Sequence, residues 1–106
     1  MVATSEIQSF ADRIARAFRP QRIILFGSHA YDRADTDSDV DLMVVLPYTG
    51  KSWEMATQIR NRLRPSFPLD LVVRSPDQVR ERVVMGDPFL REAVRDGKVL
   101  YKADHR

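Results

Sequence analysis

RIILFGSHAYDRADTDSDVDLMVVL, residues 22–46, decides the fold. Arg22–Phe26 is a β-rich run that stops at Gly27-Ser28, and Asp39–Leu46 is a second one closed by Pro47. Between them residues 29–38 are polar and end in turn chemistry, with room for a short helix after Ser28. Upstream, Ile7, Phe10, Ala11, Ile14 and Phe18 recur at steps of three and four, one stripe of an amphipathic helix. Ser5 with Gln8 fits a capping box at its start, and Pro20 ends it. Downstream, Trp53, Ala56, Ile59 and Leu63 mark a helix over Lys51–Arg64. Pro65 and Pro68 separate it from a third strand, Leu69–Arg74. Ser75-Pro76 with Gln78 reads as an N-cap, a first-turn proline and a capping partner, and that helix should stop near Gly86. Asp87-Pro88 opens another short helix with Phe89, Leu90, Ala93 and Val94 as its apolar side. Gly97 ends it, and Lys98–Tyr101 is a final strand. The pattern is an α/β or α+β domain with helices packed on a sheet.

Composition narrows the function. The chain has 106 residues, which suits a single domain over 1–106. Apolar residues make up 43% and charged residues 30%, as in an ordinary globular protein rather than a disordered tail. The net charge is +2, which gives no argument for nucleic acid as a direct partner. Arg60, Arg62 and Arg64 cluster, as do Arg80 and Arg82, in the manner of solvated helix faces. Cysteine is absent, which excludes disulfides and thiol chemistry, and His29 and His105 are too far apart for a His-rich zinc site. No segment approaches the ~20 apolar residues of a membrane span. MVATSEIQSF has no basic start followed by an apolar block, so a cytoplasmic location is expected.

Asp39 and Asp41 carry the chemical signal. Side chains two apart in a strand share a face, at ~6.6 Å between Cα atoms. Val40, Leu42, Val44 and Leu46 then take the opposite face and can form core. Like charges this close repel unless something positive sits between them. Hard oxygen ligands with no thiol favour Mg²⁺ or Mn²⁺. Asp70 repeats the arrangement on the third strand, facing away from Leu69, Leu71 and Val73. If the two strands are neighbours, the three carboxylates could hold two metal ions ~3.5–4 Å apart, the arrangement of in-line phosphoryl displacement. Gly27-Ser28 lets a phosphate approach closely and offers N–H groups and a hydroxyl. Turn and aspartates together resemble the two halves of a nucleotide site.

Rival motifs fail. Asp35, Asp37 and Asp39 imitate the opening of a calcium loop, but Val40 and Leu46 stand where that loop needs glycine and glutamate. A glycosyltransferase could use Asp39-Val-Asp41, yet 106 residues leave little room for a sugar-nucleotide domain and acceptor cleft. No Gly-Lys-Ser/Thr of the P-loop type is present.

Leu25-Phe-Gly-Ser28, ten intervening residues, Asp39-Val-Asp41-Leu and a later-strand Asp70 resemble the signature of the DNA polymerase beta nucleotidyltransferase superfamily. The pattern is most similar to its minimal nucleotidyltransferases, antitoxin-type partners of HEPN toxins. The tail, Gly86-Asp-Pro-Phe-Leu-Arg91 through Gly97-Lys-Val-Leu-Tyr101, also resembles that branch. The resemblance implies a mixed sheet with helices packed on one face and the site on the other. It implies Mg²⁺-dependent transfer of a nucleoside monophosphate, AMP from ATP or the equivalent from another NTP, to a hydroxyl. By position, Gly27 and Ser28 would hold the phosphates and Asp39, Asp41 and Asp70 two metal ions, with Asp70 helping to deprotonate the acceptor. Asp32 stands where many relatives have glycine.

An enzyme that adenylylates a HEPN-domain partner, on a tyrosine, is one expectation. A binding module that neutralises its partner by contact is the alternative. With helices on one face only, Met43, Val45 and Val72 would lie exposed beside the carboxylates, an apolar area that marks an interface. A partner protein should cover it, with Arg60, Arg64 and Arg74 against its acidic groups. Self-association as a homo-oligomer through the same face is the competing outcome.

Overall fold

The two β-rich runs of residues 22–46 form neighbouring antiparallel strands that are buried on both faces over most of their length. In the computed structural model, which describes residues 2–31 and 38–103, they are β1 (Arg22–Phe26) and β2 (Val40–Val45). Around them lie α1 (Thr4–Phe18), a 3-10 turn (Ser28–Tyr31), α2 (Ser52–Leu63), β3 (Leu69–Arg74), α3 (Pro76–Met85), α4 (Pro88–Asp96) and β4 (Lys98–Lys102). The sheet order is β3-β2-β1-β4. β1 runs antiparallel to both neighbours, while β2 and β3 are parallel. The sheet is therefore mixed and the fold α+β, as expected.

Helices cover both faces of this sheet, which corrects the expectation of one. Ile23, Leu25, Val40, Leu42, Val44, Leu71 and Val73 meet Ile7, Phe10 and Ile14 of α1 and Ile59 and Leu63 of α2 in one core. On the reverse face Ile24, Met43 and Val45 lie beneath Val79 of α3 and Leu90 and Ala93 of α4. Met43 is 0% exposed and Val45 1%, so the apolar interface expected beside the carboxylates is largely an internal core. The reason is topological. Crossovers between parallel strands are almost always right-handed. The β2-to-β3 crossover moves outward, and the β3-to-β4 crossover returns across the whole sheet. Two crossovers of one hand in opposite directions put their helices on opposite faces.

Caps fix the helix ends. Ser75 accepts from the Gln78 N–H at 3.1 Å and Gln78 Oε1 accepts from the Ser75 N–H at 3.0 Å, the expected capping box. Asp87 accepts from the N–H groups of Phe89 and Leu90. The box expected at Ser5 and Gln8 does not form. α1 starts two residues earlier, with Ala3 at the N-cap, so Ser5 lies inside the first turn. Gln8 instead donates to Asp12 and to the Leu100 carbonyl, tying α1 to β4. Gly97 ends α4 because nothing larger fits: a Cβ there would overlap the Ala93 carbonyl and Ile24. Among the described residues no helix is long and apolar enough to cross a membrane.

Candidate active site

One end of the sheet gathers the end of β1 and the starts of β2 and β3. Phe26 pairs with Asp41, and Asp41 pairs with Asp70. Paired positions in a sheet share a face, and adjacent strands lie ~4.8 Å apart, so the Asp41 and Asp70 carboxyls stand side by side. Asp39 sits just ahead of β2. Asp39 and Asp70 are exposed, while Asp41 is half-buried. The adjacency of Asp70 to the first pair, conditional in the sequence, follows from the parallel β2–β3 register.

The Asp41 carboxyl is held above its ordinary value of 3.8. Burial is the largest cause, followed by the negative charges of Asp70 and Asp39. A hydrogen bond with Asp70 adds to the rise, and His29 opposes it. Two carboxyls can share such a bond only if one of them carries the proton. The site thus concentrates carboxylate charge that His29 offsets only in part, since the Asp41 carboxyl stays raised. Among the described residues, no three His, Asp or Glu side chains converge as a ready-made cation cage.

Gly27 locks the turn against this cluster. Its φ is +73°, a conformation L side chains rarely adopt, and a Cβ there would overlap the Asp41 carboxylate. The glycine is therefore required twice, by the backbone and by the approach of Asp41. Ser28 opens the 3-10 turn, in which the Ala30 N–H donates to the Gly27 carbonyl at 3.0 Å. His29 follows, buried, with neither ring nitrogen hydrogen-bonded. Sequence reading weighed His29 only as a zinc ligand; its place directly after Gly27-Ser28 was the signal that it belongs to this site. Asp32, Asp35 and Asp37 lie outside the described residues.

Of the arginines expected to face a partner, two are engaged with the free edge of β3. Arg60 donates to the Leu69 carbonyl at 2.6 Å and Arg74 to the Val73 carbonyl at 2.8 Å. They occupy backbone acceptors on a strand that, among the described residues, has no neighbour on that side, a common way of blunting an edge. Arg64 is the left-handed cap of α2.

Residues 8–106 match the sequence family described as Polymerase beta, Nucleotidyltransferase. In fold the chain is similar to a candidate nucleotidyltransferase from Sulfolobus solfataricus, with 16% identity and a TM-score of 0.64 over 92% of this chain and 78% of that one. It is similar to a toxin-antitoxin structure with AMP-PNP, at 24% identity and a TM-score of 0.58, covering 92% of this chain and 74% of that one. It is also similar to a toxin-antitoxin MntA-HpeT mutant with two aspartates changed to glutamate, at 22% identity, a TM-score of 0.54 and the same coverage. No curated protein sequence matches.

Proposed function

The chain belongs to the polymerase beta nucleotidyltransferase family, and from that membership we propose that it moves AMP from ATP to a tyrosine hydroxyl of a HEPN-domain toxin, acting as its antitoxin in the cytoplasm. The observation that carries this reading is the in-register Asp41–Asp70 pair against Gly27, with Asp41 held above its ordinary value by burial and by its neighbours' charge. A family built to transfer nucleotides accounts for carboxylates that the fold itself does not need. The fold shared with toxin-antitoxin structures, one of them with AMP-PNP, supports a protein acceptor and an adenine nucleotide.

The oxygen-only donor set fits Mg²⁺ or Mn²⁺. Asp39, Asp41 and Asp70 would hold two such ions, which would offset the charge of the triphosphate and of the entering oxygen. Asp39 and Asp70 are exposed and can turn toward Asp41, as a cage of three requires. Gly27 and Ser28 hold the phosphates. The acceptor oxygen bonds to the α-phosphorus, the bond to the bridging oxygen breaks, and pyrophosphate leaves. The hydroxyl proton passes to the Asp70 carboxylate.

The contact-only antitoxin remains the second reading, favoured by the absence, among the described residues, of three converging ligands. Co-purification with a HEPN-domain partner, then intact mass spectrometry after Mg-ATP, separates the two. Added AMP mass on the partner supports transfer. A stable complex without a mass change favours contact alone, and no complex refutes both.

A further inference from the structure

We propose that the cavity between the phosphate turn and α4 is a nucleobase pocket that selects bases presenting an amino group. The inference rests on the nucleotidyl-transfer reading. The cavity, of about 210 Å³, is lined by Phe26, Gly27, Phe89, Glu92 and Ala93. It therefore begins at the glycine assigned to the phosphates and lies on the same sheet face as Asp41, since Phe26 and Asp41 are paired. Its volume admits one planar ring system rather than a folded peptide segment.

The lining has the chemistry of a base site. Phe26 and Phe89 meet edge to face, with centroids 5.3 Å apart and an interplanar angle of 82°. Phe89 is 42% exposed, an aromatic left open at the cavity rim where a flat ring could stack. Glu92 lies one helical turn further along α4. A carboxylate accepts hydrogen bonds and donates none. It therefore suits the amino groups of adenine, cytosine or guanine and opposes the two carbonyls of uracil. It also repels phosphate, so the triphosphate stays at Gly27-Ser28 and the neutral base takes the cavity.

Geometry argues against the acceptor as the occupant. In-line displacement puts the entering and leaving oxygens on opposite sides of the phosphorus. The leaving pyrophosphate lies at the Gly27-Ser28 turn. The acceptor then enters from the side of Asp70, on the strand remote from α4. The nucleoside is the group left to extend over Phe26 toward Phe89.

Calorimetric titration with inorganic tripolyphosphate, ATP and UTP, each with magnesium, tests the pocket. Tripolyphosphate reads the phosphate turn alone, and the difference between ATP and tripolyphosphate reads the base. Phe89→Ala should weaken ATP roughly tenfold, the loss of one base–aromatic contact, and leave tripolyphosphate unchanged. Phe89→Leu serves if the alanine variant fails to fold. Glu92→Gln can both donate and accept, and should narrow the ATP-over-UTP preference by roughly threefold to tenfold. Tripolyphosphate binding as tight as ATP overturns the pocket alone. So do variants that retain the ATP preference, or that change only the KM of the acceptor protein. Failure of both tripolyphosphate and ATP to bind overturns the nucleotide site together with the pocket.

Discussion

Replacing Gly27 by alanine should damage the protein in two separable ways. The backbone at φ +73° costs an L residue ~1–2 kcal/mol. The new Cβ would also overlap the Asp41 carboxylate, and forcing that side chain off its rotamer costs ~0.5–1.5 kcal/mol. Together they predict a loss of roughly 1.5–3.5 kcal/mol, or a fall in melting temperature of roughly 6–28 °C for a domain of this size. The two contributions separate in a double-mutant cycle with Asp41→Ala, which removes the carboxylate and leaves only the Cβ of residue 41 at ordinary contact distance. The backbone cost should remain and the overlap should vanish, a coupling of ~0.5–1.5 kcal/mol. Urea melts of the four proteins at neutral pH give the cycle. Effects additive to within ~0.3 kcal/mol would show that Asp41 does not press on Gly27, and the description of the turn would then be wrong.

Four further outcomes follow from the same geometry. Because the Asp41 carboxyl titrates higher in the folded than in the unfolded chain, its contribution to stability is complete below the ordinary value of 3.8 and is lost as pH rises through the raised one. Urea melts from pH 4 to neutrality, without added metal, should show that decline, and Asp41→Asn should remove it; an unchanged slope in the variant contradicts the assignment. Mg-ATP should raise the melting temperature, by binding the folded state alone, and Asp39→Asn with Asp41→Asn should abolish the metal-dependent part; a well-folded wild type with no shift at millimolar Mg-ATP argues against the site. Asp70→Asn should leave the fold intact while cutting AMP transfer by orders of magnitude, and transfer at the native rate would remove Asp70 from the chemistry. Gly97→Ala should destabilise by ~1–3 kcal/mol, since its Cβ would overlap the Ala93 carbonyl and Ile24; unchanged denaturation would mean that α4 can move off β1 freely.

Much of this architecture was legible because local rules agreed with the tertiary result. Arg22–Phe26 and Leu69–Arg74 are bounded as strands where the sequence bounds them, and Ser75 with Gln78 caps α3 as read. The Ser5 box failed because Ala3 can begin a helix without a side-chain cap, and Gln8 found a better partner in the Leu100 carbonyl. The second face was not legible for a different reason. Met43, Val45 and Val72 read as facing opposite to Val44 and Leu71, which is correct, but periodicity does not say which helix will lie over them. That depends on strand order, because only with β4 beside β1 does the α3–α4 crossover span the sheet. Of the site, Asp39, Asp41, Gly27 and the adjoining His29 lie in one local stretch of sequence, whereas Phe89 and Glu92 come up to the Gly27 turn only through tertiary packing.

Strand register explains why the carboxylates remain open on a face that helices otherwise cover. Three rows cross that face of β1, β2 and β3: Phe26–Asp41–Asp70, then Ile24–Met43–Val72, then Arg22–Val45–Arg74. The middle row is apolar, and Val45 continues it into the third. Burying those side chains at ~25 cal/mol per Å² draws α3 and α4 down onto the sheet through Val79, Leu90 and Ala93. The first row offers no such gain. Covering Asp41 and Asp70 with an apolar helix would strip water from two carboxyls that share no cation within the fold. The helix pair therefore stops at Phe26, where Phe89 closes against it, and the acidic row is left as a trough with α4 as its wall on one side. On the other side β3 has no neighbouring strand among the described residues, so Asp70 opens laterally. A wall toward Gly27 and an opening toward Asp70 give the trough a direction. In the proposed reaction the nucleotide is held at one end and the acceptor enters at the other. The polarity of the site follows from which residues on one sheet face are worth burying.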